Sequence, residues 1–312
     1  MKANLNWDFF RQSLFISVLA LRFGNIQAIN VWHQKLVEAY EEIDLPSSRD
    51  FTSETYQVGH HLLRAFMLCR TLTSHTFQVY GLMCTAIPTL LMIGMEAEAY
   101  WLLRCFGFTW DNTGFENLDL FNTTHKAAYP PLIVHTHTTL YRLLIILASP
   151  DGTINEAEAN AWIPSPSALV EMEKGDVTVQ AWGCYDMCSF AARSFIRLGR
   201  DDDAYDLARF AVAPELGTLK KTTLVSCHSI LGQVAARRDE TDEAEGHFAR
   251  ALEEAKTSRL PMLEILAVRD WRDHLLAPTG RDCGEAEAVI EAACTAMNKT
   301  RGQLQRVLGD LW

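Results

Sequence analysis

Histidine is the first residue type in this chain whose spacing could support chemistry. His135 and His137 are separated by one residue, and His125 lies ahead of them. In an extended segment alternate side chains share one side, so this pair could place two imidazoles on one metal ion. The spacing supplies no third ligand. The alternative is a polar entrance to a helix that begins at Thr138 or Thr139, and we predict no metal site here.

Cysteine is the second candidate metal ligand. The chain has eight cysteines but no Cys-x-x-Cys; Cys184 and Cys188 lie one helical turn apart, and Cys227 precedes His228. Neither arrangement is a recognised zinc-ligand spacing. Most of the cysteines lie in apolar helical patterns, at a lower density than in secreted disulfide scaffolds. We therefore interpret them as reduced thiols and predict a cytoplasmic protein without a cofactor.

The segment Asp151–Glu158 matches the second half of an EF-hand calcium loop. It has Asp-Gly-x-Ile followed by a glutamate at the last ligand position. Leu147, however, stands where the first acidic ligand belongs. Because a carboxylate is missing, we predict no appreciable calcium binding; the alternative is a turn followed by an asparagine or threonine helix cap.

Catalytic motifs are absent from the sequence. It contains no Gly-x-Ser-x-Gly, Gly-x-Gly-x-x-Gly, Walker loop or His-Glu-x-x-His. The formal net charge of −11 repels the phosphates of nucleic acids and anionic lipids. We expect binding rather than catalysis, and a partner other than a nucleic acid.

One uncharged stretch, residues 77–95, approaches the length of about 20 residues that a membrane-spanning helix needs. Gln78, Gly81 and Pro88 interrupt it, and the amphipathic segment 96–104 follows directly. A helix buried on all sides within a protein has the same composition. We predict such a buried helix and no membrane span.

The elements that position these residues are helices. Apolar residues recur with helical periodicity in nearly every segment, and strand-like alternation is nearly absent. We predict an apolar N-terminal helical region (1–108), an irregular connection with one helix (109–166) and a region of short regular helices (167–312). Residues 149–166 are expected to form a loop. In the last region we predict helices at 177–198, 202–212, 219–237, 242–255, 260–276 and 285–308.

The helices of the last region carry an internal repeat. Gly199, Ala204, Tyr205, Leu207 and Arg209 recur at the spacing of Gly94, Ala99, Tyr100, Leu102 and Arg104. A third version, around Ala244, keeps the acidic turn and the small residue. We interpret the glycine, or the Asp in its place, as the end of a first helix, since glycine adopts a left-handed conformation cheaply. The alanine then allows close approach of a second helix.

This pattern resembles the tetratricopeptide repeat, a helix hairpin of about 34 residues. In residues 225–258 the resemblance rests on Leu231, Gly232, Ala235, Ala244, Phe248 and Ala251. Residues 185–218 resemble a preceding repeat, although Cys188 stands at the family's tryptophan position. The resemblance implies an all-α solenoid of helix hairpins in a right-handed superhelical array.

The resemblance also implies a concave surface lined by the first helix of each hairpin. Groove positions on these helices are Asp186, Ser189, Arg193, Arg197, Ser226, Ser229, Gln233 and Arg237. The three arginines are expected to form one basic stripe, and a guanidinium pairs bidentately with a carboxylate or phosphate. The alternative is a solvated helix face with ordinary arginines.

Three functions stay open on this basis. The first is a scaffold or adaptor that binds a peptide or protein partner, with or without an anionic group, in the helical groove. The second is a regulatory or lipid-binding domain, because residues 56–108 are more apolar than a thin repeat needs. The third is an enzyme with an unrecognised site at residues 109–131.

Overall fold

The structure, a computed structural model, describes residues 87–92, 99, 100, 103, 131–149, 152–175, 187–213, 221–258, 260–296, 300 and 301. Helices make up 83% of these residues, which include no strand. The predicted all-α class is therefore confirmed for this part of the chain. Most of the predicted apolar N-terminal region, His125, Asp151 and Asp186 lie outside the described residues.

The described helices are numbered here in chain order. They are α1 (Ile87–Met92), α2 (Pro131–Ala148), α3 (Glu156–Trp162), α4 (Pro166–Gly175), α5 (Met187–Arg197), α6 (Asp201–Ala211), α7 (Lys221–Arg237), α8 (Thr241–Ser258), α9 (Pro261–Trp271) and α10 (Gly284–Ala296). A π-helical segment, Arg272–Leu276, continues α9 without a break.

Two predicted boundaries in the middle of the chain are wrong. Helix α2 begins at Pro131, not at Thr138 or Thr139, because a proline at the first helical position needs no N–H partner and has a helical φ. Helix α3 lies within the predicted loop 149–166. Asn155 caps it, since the side-chain oxygen accepts a hydrogen bond from the backbone N–H of Glu158 at 3.2 Å.

Successive helices of the last region pack on one another in chain order. Each of α5 to α9 contacts the next helix, and α5, α7 and α9 also contact one another in sequence. Helix α2 packs on α5, and α1 contacts both α2 and α7. One hydrophobic core extends from Ile87 to Cys294. The predicted boundary at 166/167 thus does not separate two cores.

Three turns between helices share one backbone geometry. Gly199, Asp239 and Gly280 have positive φ angles of 70°, 61° and 67°. In each turn, the residue that follows donates its N–H to a carbonyl five residues earlier, at 2.8 to 2.9 Å. This is the hydrogen bond that closes a helix with a left-handed residue. The predicted helix ends at Gly199 and Asp239 are confirmed.

The α7–α8 hairpin is closed by small residues against one large ring. The Phe248 side chain is buried against Gly232, where an added Cβ would lie 2.9 Å from the ring carbons Cε2 and Cζ. Ala235 and Ala244 are fully buried in the same cluster. Ala204 is fully buried as well, on α6. Gly232, Ala235 and Ala244 allow α7 and α8 to approach closely, and Ala204 is a small buried residue at the equivalent position of α6.

In the described part of the chain, no helix is long and apolar enough to cross a membrane. Within the uncharged stretch 77–95, the described helix is α1. Its Ile87 and Leu91 side chains are fully buried in the core.

Candidate partner-binding face

The predicted groove residues come from two neighbouring helices, and we call their shared surface the first-helix face. It comprises Ser189, Arg193 and Arg197 on α5, and Ser226, Ser229, Gln233 and Arg237 on α7. Ser189 and Ser226 join the two helices directly, because the Ser189 hydroxyl donates to the Ser226 hydroxyl at 3.3 Å. The structure therefore brings these two predicted positions together.

Three residues of the first-helix face are buried. Ser189 is 2%, Ser229 3% and Gln233 8% exposed. These residues are buried where α5 and α7 pack on each other and on neighbouring helices, which include α2 for α5 and α1 and α9 for α7. The repeat register placed the residues on one face, but it could not show how much of that face is buried.

The three arginines do not form a free basic stripe. The Arg193 guanidinium donates to the carbonyl oxygen of Leu91 at 2.8 Å. Arg197 donates to the carbonyl oxygens of Ile146 and Leu147, the latter at 3.3 Å. Arg237, 40% exposed, forms an ion pair with Asp201 at 2.5 Å. These bonds occupy donors that the prediction assigned to an anionic ligand.

The carbonyls that Arg197 contacts belong to a helix C-terminus, since Ile146 and Leu147 lie in the last turn of α2. Carbonyls of a last turn have no partner within their own helix and carry the negative end of its dipole. A guanidinium supplies both hydrogen-bond donors and positive charge. Arg197 therefore caps α2, and Arg193, one turn earlier on α5, binds a backbone carbonyl of α1.

Two hydroxyls on α7 are buried without a partner. Thr222 Oγ1 and Ser229 Oγ make no hydrogen bond within the part of the chain that the structure describes. They are seven residues apart, so they lie on one side of α7, with Ser226 between them. A buried hydroxyl without a hydrogen bond carries an uncompensated desolvation cost. On this side of α7, only some of the polar side chains have a hydrogen-bond partner within the described residues.

A histidine pair at the α7–α8 contact did not emerge from the sequence. The Nδ1 atoms of His228 and His247 lie 3.3 Å apart, and the rings are stacked with centroids 5.6 Å apart. Burial, with the nearby charges of His247 and Arg250, lowers the pKa of His228 to about 4, while Glu254 opposes the shift. The repeat alignment that places Phe248 opposite Gly232 could have revealed this pair, because it also brings the neighbouring His247 to the α7–α8 contact.

The pKa of His247 is also lowered, mainly by burial. Glu243 opposes that shift, with its carboxylate 3.7 Å from Nε2 of His247. At neutral pH both rings are therefore uncharged, and one Nδ1–H donates to the other Nδ1. The pair stabilises the hairpin only while it remains unprotonated.

The other candidate ligands gain no support. His135 and His137 lie in helix α2 and not in an extended segment, so the spacing that would place two imidazoles on one side does not apply. Within the described ranges, no group of three or more His, Cys, Asp or Glu side chains could hold a metal ion. Leu147, which stands at the first ligand position of the calcium-loop pattern, is buried in α2.

No family model matches the chain, and no curated protein or solved structure matches it either.

Proposed function

We propose that this chain is a tetratricopeptide-like scaffold that binds a peptide or protein partner on its first-helix face. The observation that carries the proposal is the recurring left-handed turn at Gly199, Asp239 and Gly280, together with the contacts among α5, α7 and α9. Hairpins that stack through their first helices place those helices side by side, and such surfaces serve as binding sites in repeat proteins. The solenoid arrangement itself is part of the proposal.

The interval between turns qualifies the family resemblance. The turns recur about every 40 residues, whereas the tetratricopeptide repeat has about 34. Ion pairs link neighbouring turns at a constant separation of 36 residues, as in Arg237–Asp201, Arg238–Asp202 and Arg281–Glu245. The resemblance therefore concerns the packing within each hairpin more than the repeat length.

The chemistry of the face favours a partner that forms hydrogen bonds. Its polar groups are hydroxyls and an amide on α5 and α7, and its arginines are already engaged with carbonyls or Asp201. A partner with hydroxyl or amide side chains fits this surface better than a strongly anionic one, since an anion would have to displace existing bonds. Free cysteines that are buried, namely Cys188, Cys227 and Cys294, support the reducing cytoplasm as the compartment.

The test is site-specific photo-cross-linking in cells of the source organism. A photoreactive phenylalanine analogue replaces Ser226 on the first-helix face, and the same analogue at Ala249 on the exposed side of α8 is the control. We expect one discrete cross-linked partner from position 226 and none from position 249. The same products from both positions, or none from position 226, would contradict the proposed function.

A further inference from the structure

The histidine pair at the α7–α8 contact brings two imidazole nitrogens to the separation that a shared metal ion requires. Nδ1 of His228 and Nδ1 of His247 are 3.3 Å apart, and the two ring planes differ by 28°. Two nitrogens bound to one zinc ion at about 2.0–2.1 Å and at a tetrahedral angle lie about 3.3–3.4 Å from each other. The hairpin therefore holds one ligand from α7 and one from α8 at the correct spacing.

The other ring nitrogen of His247 faces a carboxylate. Its Nε2 lies 3.7 Å from Oε1 of Glu243, which also accepts a hydrogen bond from the Tyr205 hydroxyl at 2.9 Å. A carboxylate on that side favours the tautomer with the proton on Nε2, so the lone pair of His247 lies on Nδ1, toward His228. Histidines that bind metals usually have such a hydrogen-bond acceptor at their second nitrogen. Glu243 and Tyr205 therefore orient His247 as a ligand.

The surroundings of the pair are shielded from solvent but reachable, and their charges are mixed. His228 is 9% exposed, and the side chain of His247 is 17% exposed. Glu243 and Glu254 contribute negative charge near the rings, and Arg250 contributes positive charge. Within the described residues, no group of three His, Cys, Asp or Glu side chains forms around the pair. A site with two protein ligands retains water on the ion and releases the ion more readily than a structural zinc site with four.

We propose that His228 and His247 form an exchangeable binding site for a zinc-type divalent cation, with Glu243 as the outer carboxylate. The proton that one Nδ1 donates to the other moves to Nε2 of its own ring, so both rings stay neutral and both Nδ1 atoms bind the ion. A small rotation about χ2, a broad torsion in histidine, directs the two lone pairs to one point. The ion joins α7 to α8 and stabilises the folded chain. The pair lies at the contact with α8, so the inference does not depend on the proposed function.

Calorimetric titration of the full-length chain with zinc chloride at neutral pH tests the inference. We expect one ion bound per chain at zinc concentrations of about 100 µM or below. His228→Gln and His247→Gln should each abolish this binding, and Glu243→Gln should weaken it by about tenfold. His274→Gln is the matched control, because it removes a half-buried histidine from the π-helical segment, and it should leave binding intact.

Two further measurements identify the ligands and the effect on the fold. Cobalt(II) in place of zinc should give the visible absorption of a nitrogen-ligated ion in the parent and not in His247→Gln. Ligation by cysteine would instead add intense sulfur-to-cobalt absorption in the near ultraviolet. Saturating zinc should raise the melting temperature of the parent and of His274→Gln, but not that of His228→Gln.

The inference is overturned if the parent binds no zinc at about 100 µM, or if binding survives in both His228→Gln and His247→Gln. Sulfur-to-cobalt absorption would also overturn it, because the ion would then be held by cysteines. Circular dichroism without metal shows whether each variant folds. If either glutamine variant does not fold, Glu243→Gln at its exposed position carries the test, and an unchanged zinc affinity in this variant would contradict the site.

Discussion

Helix α7 is buried on two sides, one of which is apolar and the other polar. On the side toward α8, Gly232 and Ala235 have almost no side chain, and the Phe248 ring fills the space they leave. On another side, the hydroxyls of Thr222 and Ser229 and the amide of Gln233 are buried to a similar extent, and the two hydroxyls have no hydrogen-bond partner within the described residues. The first side is complementary in shape and apolar. The second is polar.

This difference separates residues that build the hairpin from residues available for recognition. A contact that leaves no room for an added methyl group specifies one helix separation. Polar groups that lack hydrogen-bond partners do not fix the separation of the two helices in a hairpin, and burying them costs free energy. Substitutions on the two sides should therefore differ in size, and some should differ in sign.

The largest effect should come from the Phe248 ring at the α7–α8 contact. Phe248→Ala removes a fully buried side chain and leaves a cavity beside Gly232, so we expect a loss of about 3–5 kcal/mol in the free energy of unfolding. Urea denaturation measures it. Phe210→Ala, at a partly buried position on α6, is the control and should cost less. Equal losses would mean that the α7–α8 contact is no tighter than its surroundings.

The second-largest effect should come from acid, which protonates His228 at the α7–α8 contact. Its pKa is about 4 in the folded chain against an ordinary 6.5, so the unfolded chain binds more protons between these values. The free energy of unfolding therefore falls as pH drops from 6.5 toward 4, by about 3 kcal/mol from this group. Urea denaturation at pH 7, 5.5 and 4.5 measures the fall.

His228→Gln serves as the comparison for the acid effect. The glutamine does not titrate, so the pH dependence should shrink in this variant. It should not vanish, because burial also lowers the pKa values of His247 and His274. An unchanged slope in His228→Gln would show that the buried histidine pair does not govern the acid response.

A matched pair of glycines should reveal a difference in sign. Gly232→Ala places a methyl group 2.9 Å from the Phe248 ring, and we expect destabilisation of about 1–3 kcal/mol. Gly246, in the next helix, has open space around it. There the same substitution should stabilise by roughly 0.5–1 kcal/mol, because alanine favours the helix. Thermal melts of both variants measure the pair, and the same sign at both positions would show that the contact between Gly232 and the Phe248 ring is no tighter than an open helix surface.

The smallest effects should come from the polar side. Ser229→Ala and Thr222→Val remove buried hydroxyls that have no partner in the described structure, so each should change stability by less than about 1 kcal/mol or increase it. Ser189→Ala, which removes the bond to Ser226, should be destabilising by about 1 kcal/mol. If Ser229→Ala costs more than Ser189→Ala under the same denaturant titration, the Ser229 hydroxyl has a partner after all.

Local patterns in the sequence predicted much of the last region. The predicted helices 202–212, 219–237 and 260–276 match α6, α7 and α9 with its π-helical extension within two residues. The helix end at Asp239 was predicted because an acidic residue stands in the place of the repeat's glycine. A helix cap such as Asn155 was one alternative after the Asp151 turn, but residues 149–166 were assigned to a loop because α3 is short. The start of α2 was misplaced because Pro131 was interpreted as the end of a loop.

The sequence also predicted which residues of α5 and α7 share a face, because helical periodicity and the repeat spacing are properties of the chain itself. It could not predict that α1 and α2 would place backbone carbonyls beside Arg193 and Arg197. That outcome depends on contacts between segments about 50 and about 100 residues apart, which loop closure permits at little additional entropic cost and which no local pattern encodes. The sequence alone therefore predicted most helices of the last region and the helix ends at Gly199 and Asp239. Only the tertiary structure decided that Ser189, Ser229 and Gln233 are buried, because burial depends on which other helices pack on α5 and α7.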